Sequence, residues 1–379
     1  MRLPSARVDA PVAGRVLVVS AGMGAGHDAV AHELVRRLEA LGHGAVRVDV
    51  LELLPAGIGA GLRSFYRTTI RHAPVVYAGI YRAFFRPGSG RHPGSAPLAA
   101  LAEDRLLAVV GRERPNVVVP VFHLAAQLTG RLRERGALAV PSAVVVTDFA
   151  VHRQWLHPGN DLHLCVTSEA ADTVRRAMGR PSVATGPVVA ARFFGPAPGA
   201  ARWRGLFEDR APGRPPVLLS VGAWGAGTRV AATARLLAGA GYLPVVLCGR
   251  DERLRHQLAR SPGVLALGWE PDMPGLMAAS RALVDNAAGQ TALEALAVGV
   301  PVVGYRPIPG HGREGVRRMD ALGLSDCAVD SWDLLRLLDA LTEPSPIRER
   351  RISAGRRLFA EDAAVRVAEQ AAGRTAAPR

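Results

Sequence analysis

Small residues before a predicted helix indicate a binding site for an anion. An apolar strand over residues 282–284 leads into 287–289, which are Ala-Ala-Gly, and a helix is predicted to begin at Thr291 and to end at Gly299. Small side chains let backbone N–H groups approach a ligand, and a helix N-terminus favours negative charge. Glu294 lies one turn further, where its carboxylate can accept the two hydroxyls of a ribose. The spacing predicts a nucleotide with its diphosphate at the helix start; a capping box without a ligand is the alternative.

The chain after this helix supplies further polar groups. A second apolar strand is predicted over 300–305, and Pro and Gly residues then hold a loop that carries His311, Arg313 and Glu314. We expect this polar loop to lie beside the helix start, where it can contact the same ligand.

A glycine-rich turn near the N-terminus predicts a second site. A buried strand over 15–19 runs through Gly22, Gly24 and Gly26 to His27, and an amphipathic helix follows. A dinucleotide-binding turn has glycine where this chain has His27. A titratable ring at a helix start suits a general base, whereas a solvent-facing histidine at the helix start is the other interpretation.

Titratable residues also follow two other predicted strands. His123 comes after the strand over 117–121, and Asp148 and His152 come after the strand over 143–146. Open α/β sheets bind their ligands beyond the carboxyl ends of their strands. We therefore expect these side chains to border the site that contains His27.

Length and charge limit the possible classes. A chain of 379 residues is long for one domain, so two are expected. The net charge of +14 would suit a nucleic acid or a membrane surface, but Lys is absent and Arg supplies every basic side chain. This bias, together with the abundant Ala and Gly, is typical of a GC-rich genome, so part of the charge is compositional.

Cysteine usage predicts a reducing compartment. Cys165, Cys248 and Cys327 are odd in number and far apart, which argues against a disulfide framework or a zinc site. The apolar run over 16–21 is too short for a signal peptide or a membrane span, and no other run is long enough. We expect a cytoplasmic protein whose membrane contact is peripheral.

One segment, residues 60–95, has the composition of a membrane-contacting surface. No acidic residue occurs from 53 to 102. Basic and aromatic residues alternate there: Arg63, Arg67, Arg71, His72, Arg82, Arg86, Arg91 and His92 with Phe65, Tyr66, Tyr77, Tyr81, Phe84 and Phe85. Such a segment can place its rings at headgroup depth and its guanidinium groups on anionic lipid of the inner membrane face. RNA binding is disfavoured because no RNA-binding motif accompanies the segment, so no nucleic-acid partner is predicted; aromatic residues in a core remain an alternative.

The two glycine turns divide the chain into two similar halves. Pro- and Gly-rich stretches over 195–199 and 211–216 indicate a linker. We predict an α/β fold with two Rossmann-like domains that face each other across a cleft: residues 1–199 for the acceptor, 200–350 for the nucleotide, and a C-terminal helix over 351–379 that packs back across the linker. The turns ending in His27 and Thr291 should then share one crevice.

These features resemble the GT-B glycosyltransferases, and more narrowly the monogalactosyldiacylglycerol synthase family and its relative, the bacterial enzyme that adds N-acetylglucosamine to the peptidoglycan lipid precursor. The resemblance covers roughly 15–324. Its motifs are Ser20 to His27, Thr147-Asp148 with Trp155 and His157-Pro158, Gly186-Pro187-Val188, Cys248-Gly249-Arg250, Gly268 to Met273, and Ala278 to Gly310.

The resemblance implies a UDP-sugar donor and assigns residues to it. The donor-side residues are Trp269 and Glu270 for the uracil, Glu294 for the ribose, Gln290 and Thr291 for the diphosphate with Gly222 close by, and His311, Arg313 and Glu314 for the sugar. The acceptor-side residues are Gly24, Gly26, His27, His123 and His152.

The chain departs from the family pattern at three places. Ala288-Gly289-Gln290-Thr291 replaces Gly-Pro-Gly-Thr, Gly315 replaces an expected Asn, and His123 replaces an expected Pro. The second departure leaves the sugar open, and the third leaves the acceptor pocket open.

The predicted function is an inverting transfer of a hexose from a UDP-sugar to a hydroxyl of a lipid-like acceptor such as diacylglycerol. No Asp-x-Asp motif occurs, so we predict neither a metal nor another cofactor; helix N-termini with Arg250 or Arg313 would stabilise the departing diphosphate. His27 is the predicted base, with Asp148 as second choice or as its orienting partner. The alternatives are a UDP-sugar 2-epimerase and a non-catalytic nucleotide-sugar-binding protein.

Overall fold

Two parallel sheets flanked by helices form the protein. The structure is a computed structural model that describes residues 14–85, 94–223, 227 and 229–373. The predicted α/β class with two Rossmann-like halves is confirmed.

The N-terminal half contains six described strands and seven described α-helices, with two short 3-10 helices over Arg153–Trp155 and Ala191–Phe193. The strands are β1 (Arg15–Ser20), β2 (Gly44–Asp49), β3 (Val117–Pro120), β4 (Ala143–Val145), β5 (Leu162–Cys165) and β6 (Ser182–Ala184). The helices are α1 (Ala25–Ala40), α2 (Ile58–His72), α3 (Pro74–Phe84), α4 (Ala96–Ala100), α5 (Glu103–Glu113), α6 (His123–Glu134) and α7 (Ser168–Met178).

The N-terminal strands run parallel in two adjoining groups. The first has the order β2-β1-β3 and the second β4-β5-β6, and a parallel bridge between Val118 and Ser142 joins β3 to the start of β4. Val and Leu side chains of β1 and β3 are fully buried on both faces, as expected for parallel strands covered by helices.

The C-terminal half has the doubly wound order. Its strands are β7 (Pro216–Ser220), β8 (Leu243–Leu247), β9 (Leu265–Leu267), β10 (Ala282–Asp285), β11 (Val302–Tyr305) and β12 (Asp326–Ala328). Its helices are α8 (Ala200–Arg210), α9 (Val230–Gly239), α10 (Glu252–Ala259), α11 (Met273–Ala278), α12 (Gln290–Val298), α13 (His311–Ala321), α14 (Ser331–Thr342), α15 (Pro346–Arg357) and α16 (Ala363–Ala371). The sheet order β9-β8-β7-β10-β11-β12 reverses direction between β7 and β10, the position where such sheets bind ligands.

The C-terminal residues return to the first half. In α16, Ala363, Ala364 and Val367 pack in the same buried cluster as Val30 and Leu34 of α1. The predicted tail helix is therefore two helices, α15 and α16. The domain limits near 199 and 350 stay predictions; α8 lies between the two Pro- and Gly-rich stretches, and residues 1–13 and 374–379 lie outside the described residues.

One prediction about local structure is wrong. The residues His311, Arg313 and Glu314 belong to the first turn of α13 and not to a loop. Gly310 has φ of 79° and ends the preceding turn, and Gly312, Gly315, Val316 and Met319 then form a buried stripe at helical spacing. Two of those four residues are glycines, which conceal the apolar period in the sequence.

Candidate active site

Four helix N-termini converge on one cleft. The helices α1, α6, α12 and α13 follow β1, β3, β10 and β11, and all begin at the carboxyl edge of a parallel sheet. Each helix start carries partial positive charge, so the cleft favours an anionic ligand. Three of the starts also carry a histidine: His27, His123 and His311.

The turn before α12 is held by a buried carboxylate. Asp285 Oδ2 accepts hydrogen bonds from the backbone N–H groups of Ala287 at 2.9 Å and Ala288 at 2.6 Å. Burial raises the pKa of Asp285, while these bonds act against the rise. Ala288 has φ of 52°, a left-handed conformation that is unfavourable with a Cβ and that these bonds help to hold. Helix α12 runs over Gln290–Val298 with Gly299 as its C-cap residue, within one residue of the prediction.

Glu294 faces a cavity of about 690 Å³ between the halves. Burial raises its pKa to about 7, and the charge of Arg192 opposes this rise. No hydrogen bond to the Glu294 carboxylate occurs among the residues that the structure describes. A carboxylate placed in this way is available to accept hydrogen bonds from a ligand's hydroxyls.

Most predicted donor-side residues line this donor cavity. They are Gly222, Arg250, Trp269, Glu270, Gln290, Thr291, Glu294 and His311. The guanidinium of Arg250 lies 4.9 Å from the Trp269 ring centroid. Gln290 donates a hydrogen bond from its side-chain Nε2 to the Val188 carbonyl at 3.2 Å, which directs this side chain at residue 188 and leaves its backbone N–H available to a ligand. Residues 224–226 and 228 of the glycine turn after β7 lie outside the described residues.

Two predicted sugar contacts are placed elsewhere. The side chain of Arg313 is exposed and is not among the residues that line the cavity. Glu314 Oε2 accepts a hydrogen bond of 2.6 Å from the Tyr81 hydroxyl, and Tyr77 makes a 2.7 Å hydrogen bond to His311 Nδ1. Helix α3 of the first half therefore contacts the start of α13 in the second half.

His27 is held with one ring nitrogen available. Its Nδ1 lies 3.2 Å from the Val121 carbonyl oxygen, and its ring packs edge-on against Phe122 with centroids 4.9 Å apart. Because a carbonyl only accepts, Nδ1 carries the proton and Nε2 keeps a lone pair. Burial lowers the pKa of His27, and the charge of Asp148 partly opposes this effect. The ring is therefore neutral at pH 7 and able to take a proton.

The hydrogen-bond partners of Asp148 are residues other than His27. Its Oδ2 accepts hydrogen bonds from Trp155 Nε1 at 2.8 Å and from His152 Nε2 at 3.3 Å. Burial acts to raise its pKa, but the hydrogen bond and charge of His152, the charge of His311 and the hydrogen bond of Trp155 together lower it further than burial raises it. Asp148 is thus ionised at neutral pH and acts on His27 through its charge.

A second cavity, of about 360 Å³, adjoins the first and is mainly apolar. Its wall includes the predicted acceptor-side residues Gly24, His27, His123 and His152 and the predicted catalytic residue Asp148, together with aliphatic and aromatic side chains of α2 and α3. Within this acceptor cavity, the His123 ring packs edge-on against Phe85 at 5.2 Å, and burial lowers its pKa well below the usual value. Gly26 lies on the donor-cavity side instead.

The two predicted turns face each other across the cleft. The donor cavity is lined both by residues from Gly24 to His27 and by residues from Gly289 to Thr291. A Cβ on Gly26 would lie 3.4 Å from the Cβ of Gln290, so the starts of α1 and α12 nearly touch. His27 and His311 line both cavities. The predicted shared crevice is therefore confirmed.

Similarity to known proteins agrees with this geometry. The family model described as monogalactosyldiacylglycerol (MGDG) synthase matches residues 27–187. The predicted resemblance is confirmed. A relative named processive diacylglycerol beta-glucosyltransferase, from Staphylococcus aureus strain MRSA252, is 22% identical over 339 residues, which cover 86% of this chain and 84% of the relative. The residues matched by the family model include His27 and most of the residues that line the acceptor cavity.

Solved structures of glycosyltransferases share the whole fold. The calicheamicin glycosyltransferase CalG4 has a TM-score of 0.61 and 15% identity, covering 96% of this chain and 98% of its own. MurG of Acinetobacter baumannii has a TM-score of 0.56 and 14% identity, covering 94% of this chain and 98% of its own. These structures confirm the GT-B fold. The matching family model and the S. aureus relative confirm the predicted class of enzyme, a glycosyltransferase.

Sequence reasoning missed the contacts of α3. The sequence predicts a membrane surface for Tyr77 and Tyr81, yet both are buried and form hydrogen bonds to residues at the start of α13. Their spacing of four residues places them on one helix face, which was the available signal. The anchoring role of Asp285 was also missed, although an Asp two residues before a small-residue turn commonly accepts its backbone N–H groups.

Proposed function

We propose that the protein transfers a hexose from a UDP-sugar to a hydroxyl of a lipid-like acceptor. The observation that supports this best is that a donor cavity with charged and polar side chains in its wall, such as Arg250 and Glu294, and a more apolar acceptor cavity meet at His27. A hydroxyl at the end of an apolar molecule in one cavity can then reach a sugar held in the other. The diacylglycerol named for the S. aureus relative fits the acceptor cavity in polarity.

The donor site supplies groups for each part of a UDP-sugar. The Glu294 carboxylate accepts hydrogen bonds from the ribose hydroxyls, and the backbone N–H groups at the start of α12 bind the diphosphate. Trp269, 55% exposed at the cavity edge, and the backbone next to it border the base. Arg250 contributes positive charge beside the phosphates.

The reaction we propose is a direct displacement. His27 Nε2 removes the proton of the acceptor hydroxyl while that oxygen attacks the anomeric carbon. The bond from this carbon to the β-phosphate oxygen breaks, and UDP leaves with its negative charge stabilised by the α12 N-terminus and Arg250. Attack opposite the leaving group inverts the anomeric carbon. The helix N-terminus and Arg250 balance the charge of the leaving group, so we expect transfer to continue in EDTA.

Incubation with several UDP-sugars and lipid acceptors, read by mass spectrometry, tests the proposal. We expect a glycosylated lipid and free UDP, with the product lost in Glu294→Ala. Formation of an epimer from UDP-N-acetylglucosamine alone would indicate a 2-epimerase instead. UDP-sugar binding without turnover on any acceptor would indicate a binding protein.

We also propose that residues 60–95 dock the protein on the anionic inner face of the cell membrane. Phe65, Val75 and Val76 are 55%, 80% and 54% exposed. The exposed Arg67 and Arg82 lie on the same two helices. Phe65 also lines the acceptor cavity, which would let an apolar acceptor enter from the bilayer.

The structure makes the proposed surface smaller than the sequence predicts. Arg63 pairs with Asp49 at 3.1 Å, and Arg71 pairs with Asp251, so these two guanidinium groups face acidic side chains. Arg86, Arg91 and His92 lie outside the described residues. Among the described helices, none has the length and apolarity needed to cross a bilayer.

Sedimentation with anionic vesicles tests this docking. We expect the triple variant Phe65→Ser, Val75→Ser and Val76→Ser to bind vesicles at least about tenfold more weakly, because it removes the exposed apolar area. The matched control is Val329→Ser with Trp332→Ser, which changes two exposed apolar side chains of the other half. Equal vesicle binding by the triple variant and the wild type would refute the proposal.

A further inference from the structure

Tyr77 is well placed to act on the donor site although it belongs to the acceptor half. It is the fourth residue of α3 and is 8% exposed. Its hydroxyl makes a 2.7 Å hydrogen bond to His311 Nδ1, and the two rings meet edge-on with centroids 5.8 Å apart. His311 is the first residue of α13 and lines both cavities.

The chemistry of the pair decides which atom carries the proton. Among the described residues, the Tyr77 hydroxyl has no hydrogen-bond partner other than His311 Nδ1, so its hydrogen is directed at that nitrogen. Burial raises the pKa of Tyr77 well above its usual value, so the hydroxyl keeps this hydrogen. Burial lowers the pKa of His311, so the ring is neutral at pH 7 and has one N–H. A neutral ring that accepts the Tyr77 hydrogen on Nδ1 must carry its own hydrogen on Nε2.

The cleft then contains two histidines of opposite tautomer. His27 donates from Nδ1 to the Val121 carbonyl and keeps its lone pair on Nε2. In His311, Nε2 is the donor. One ring is prepared to accept a proton from the acceptor hydroxyl, and the other to donate a hydrogen bond to an oxygen of the sugar or of the leaving phosphate.

We propose that Tyr77 is a positioning residue that fixes His311 as a hydrogen-bond donor toward the UDP-sugar. The proposal rests on the proposed function and adds a residue of the first half to the donor site. It also explains why an apolar helix places a tyrosine hydroxyl in the cleft. The neighbouring bond from Tyr81 to Glu314, at 2.6 Å, holds α3 against the same first turn of α13.

The test compares Tyr77→Phe with the wild type. This variant keeps the ring that packs edge-on against Tyr66, with centroids 5.8 Å apart, and removes only the hydroxyl. We expect kcat for transfer to fall roughly 3- to 10-fold, the factor for one hydrogen bond, while Kd for UDP alone changes less than twofold. KM for the UDP-sugar should rise less than kcat falls if the bond strengthens in the transition state.

Tyr242→Phe is the matched control. It removes the hydroxyl that bonds to Asp339 in the second half, away from both cavities. It should lower Tm by an amount similar to Tyr77→Phe and leave kcat unchanged. If the two variants lose kcat equally, the effect of Tyr77 is structural and the proposal is refuted.

A spectroscopic measurement tests the tautomer without any turnover. Ring ¹⁵N and ¹H correlations, with His311 assigned by loss of its signals in His311→Gln, should show the hydrogen on Nε2 in the wild type and a mixture of tautomers in Tyr77→Phe. A hydrogen on Nδ1 in the wild type would overturn the inference. If no acceptor is glycosylated, the proposed function fails, and this spectrum still decides the role of Tyr77.

Discussion

Replacement of Glu294 by Gln should make the unliganded protein more stable and the UDP complex weaker. The carboxyl is half-buried in the donor cavity with a pKa raised from 4.5 to about 7, and no hydrogen bond among the described residues satisfies it. Because its folded pKa is raised, the stability it contributes is fully present below pH 4.5 and is lost as the pH rises through 7. At pH 8 the ionised group therefore destabilises the fold.

The size of this effect follows from the pKa. A shift of this size corresponds to roughly 3 kcal/mol, and contact with the water of the cavity reduces the expected value to roughly 2 kcal/mol. Glu294→Gln should raise Tm by several degrees at pH 8 and change it little at pH 4.5. The exposed Glu39→Gln is the matched control and should leave Tm unchanged at both pH values.

The same substitution should weaken UDP binding, although it stabilises the unliganded protein. Hydrogen bonds from the ribose hydroxyls to a carboxylate contribute roughly 1.5–3 kcal/mol each, and an amide retains only one oxygen. We expect Kd for UDP at pH 8 to rise about 30-fold or more by calorimetry. When the pH is lowered from 8 to 6, the Kd of the wild type for UDP should also rise, because the Glu294 carboxylate becomes protonated. This rise should exceed any change in the Kd of the variant by roughly tenfold. A destabilised variant at pH 8, or a Kd within twofold of the wild type, would refute this assignment.

Three further predictions follow from the geometry. Gly26→Val should reduce transfer strongly, whereas Gly26→Ala should be tolerated. A Cβ at this position would lie 3.4 Å from the Cβ of Gln290, so the branched methyl groups of Val would separate α1 from α12. Equal activities of the two variants would argue against the close approach of these helices. Asp148→Asn should lower kcat less than replacement of His27 does, since Asp148 bonds to Trp155 and His152; complete loss of activity with UDP binding intact would make Asp148 the base. Burial lowers the pKa of the fully buried His163 to about 4, so the stability that His163 contributes is present above pH 6.5 and is lost as the pH falls toward 4. In urea unfolding, His163→Met should reduce this acid destabilisation by roughly 3 kcal/mol. An unchanged pH dependence of the unfolding free energy would contradict this prediction.

The sequence predicts the parts of the fold that have strong local signals. Buried apolar strands followed by glycine turns identify β1, β7 and β10, and Gly299 marks the end of α12 by its left-handed φ of 90°. The placement of His27 opposite Thr291 is also predictable, because the carboxyl ends of parallel strands meet at one edge and each half has the same plan.

The contacts between the halves are not predictable from local pattern. An acid-free segment with Arg and aromatic residues has the same composition whether its rings face lipid or a cleft. Only the tertiary structure shows that Tyr77 reaches His311 and that Arg71 reaches Asp251, 180 residues further along the chain. The first turn of α13 was missed for a related reason, since its buried stripe is partly built from glycine.

Replacement of His27 by Ala tests the central claim most directly. His27 borders both cavities with a lone pair on Nε2, so its loss removes the base and leaves the groups around Glu294 and α12 in place. We predict that transfer to the lipid acceptor falls at least about 100-fold while Kd for UDP stays within a few fold. Transfer within tenfold of the wild type, or loss of UDP binding, would contradict the account.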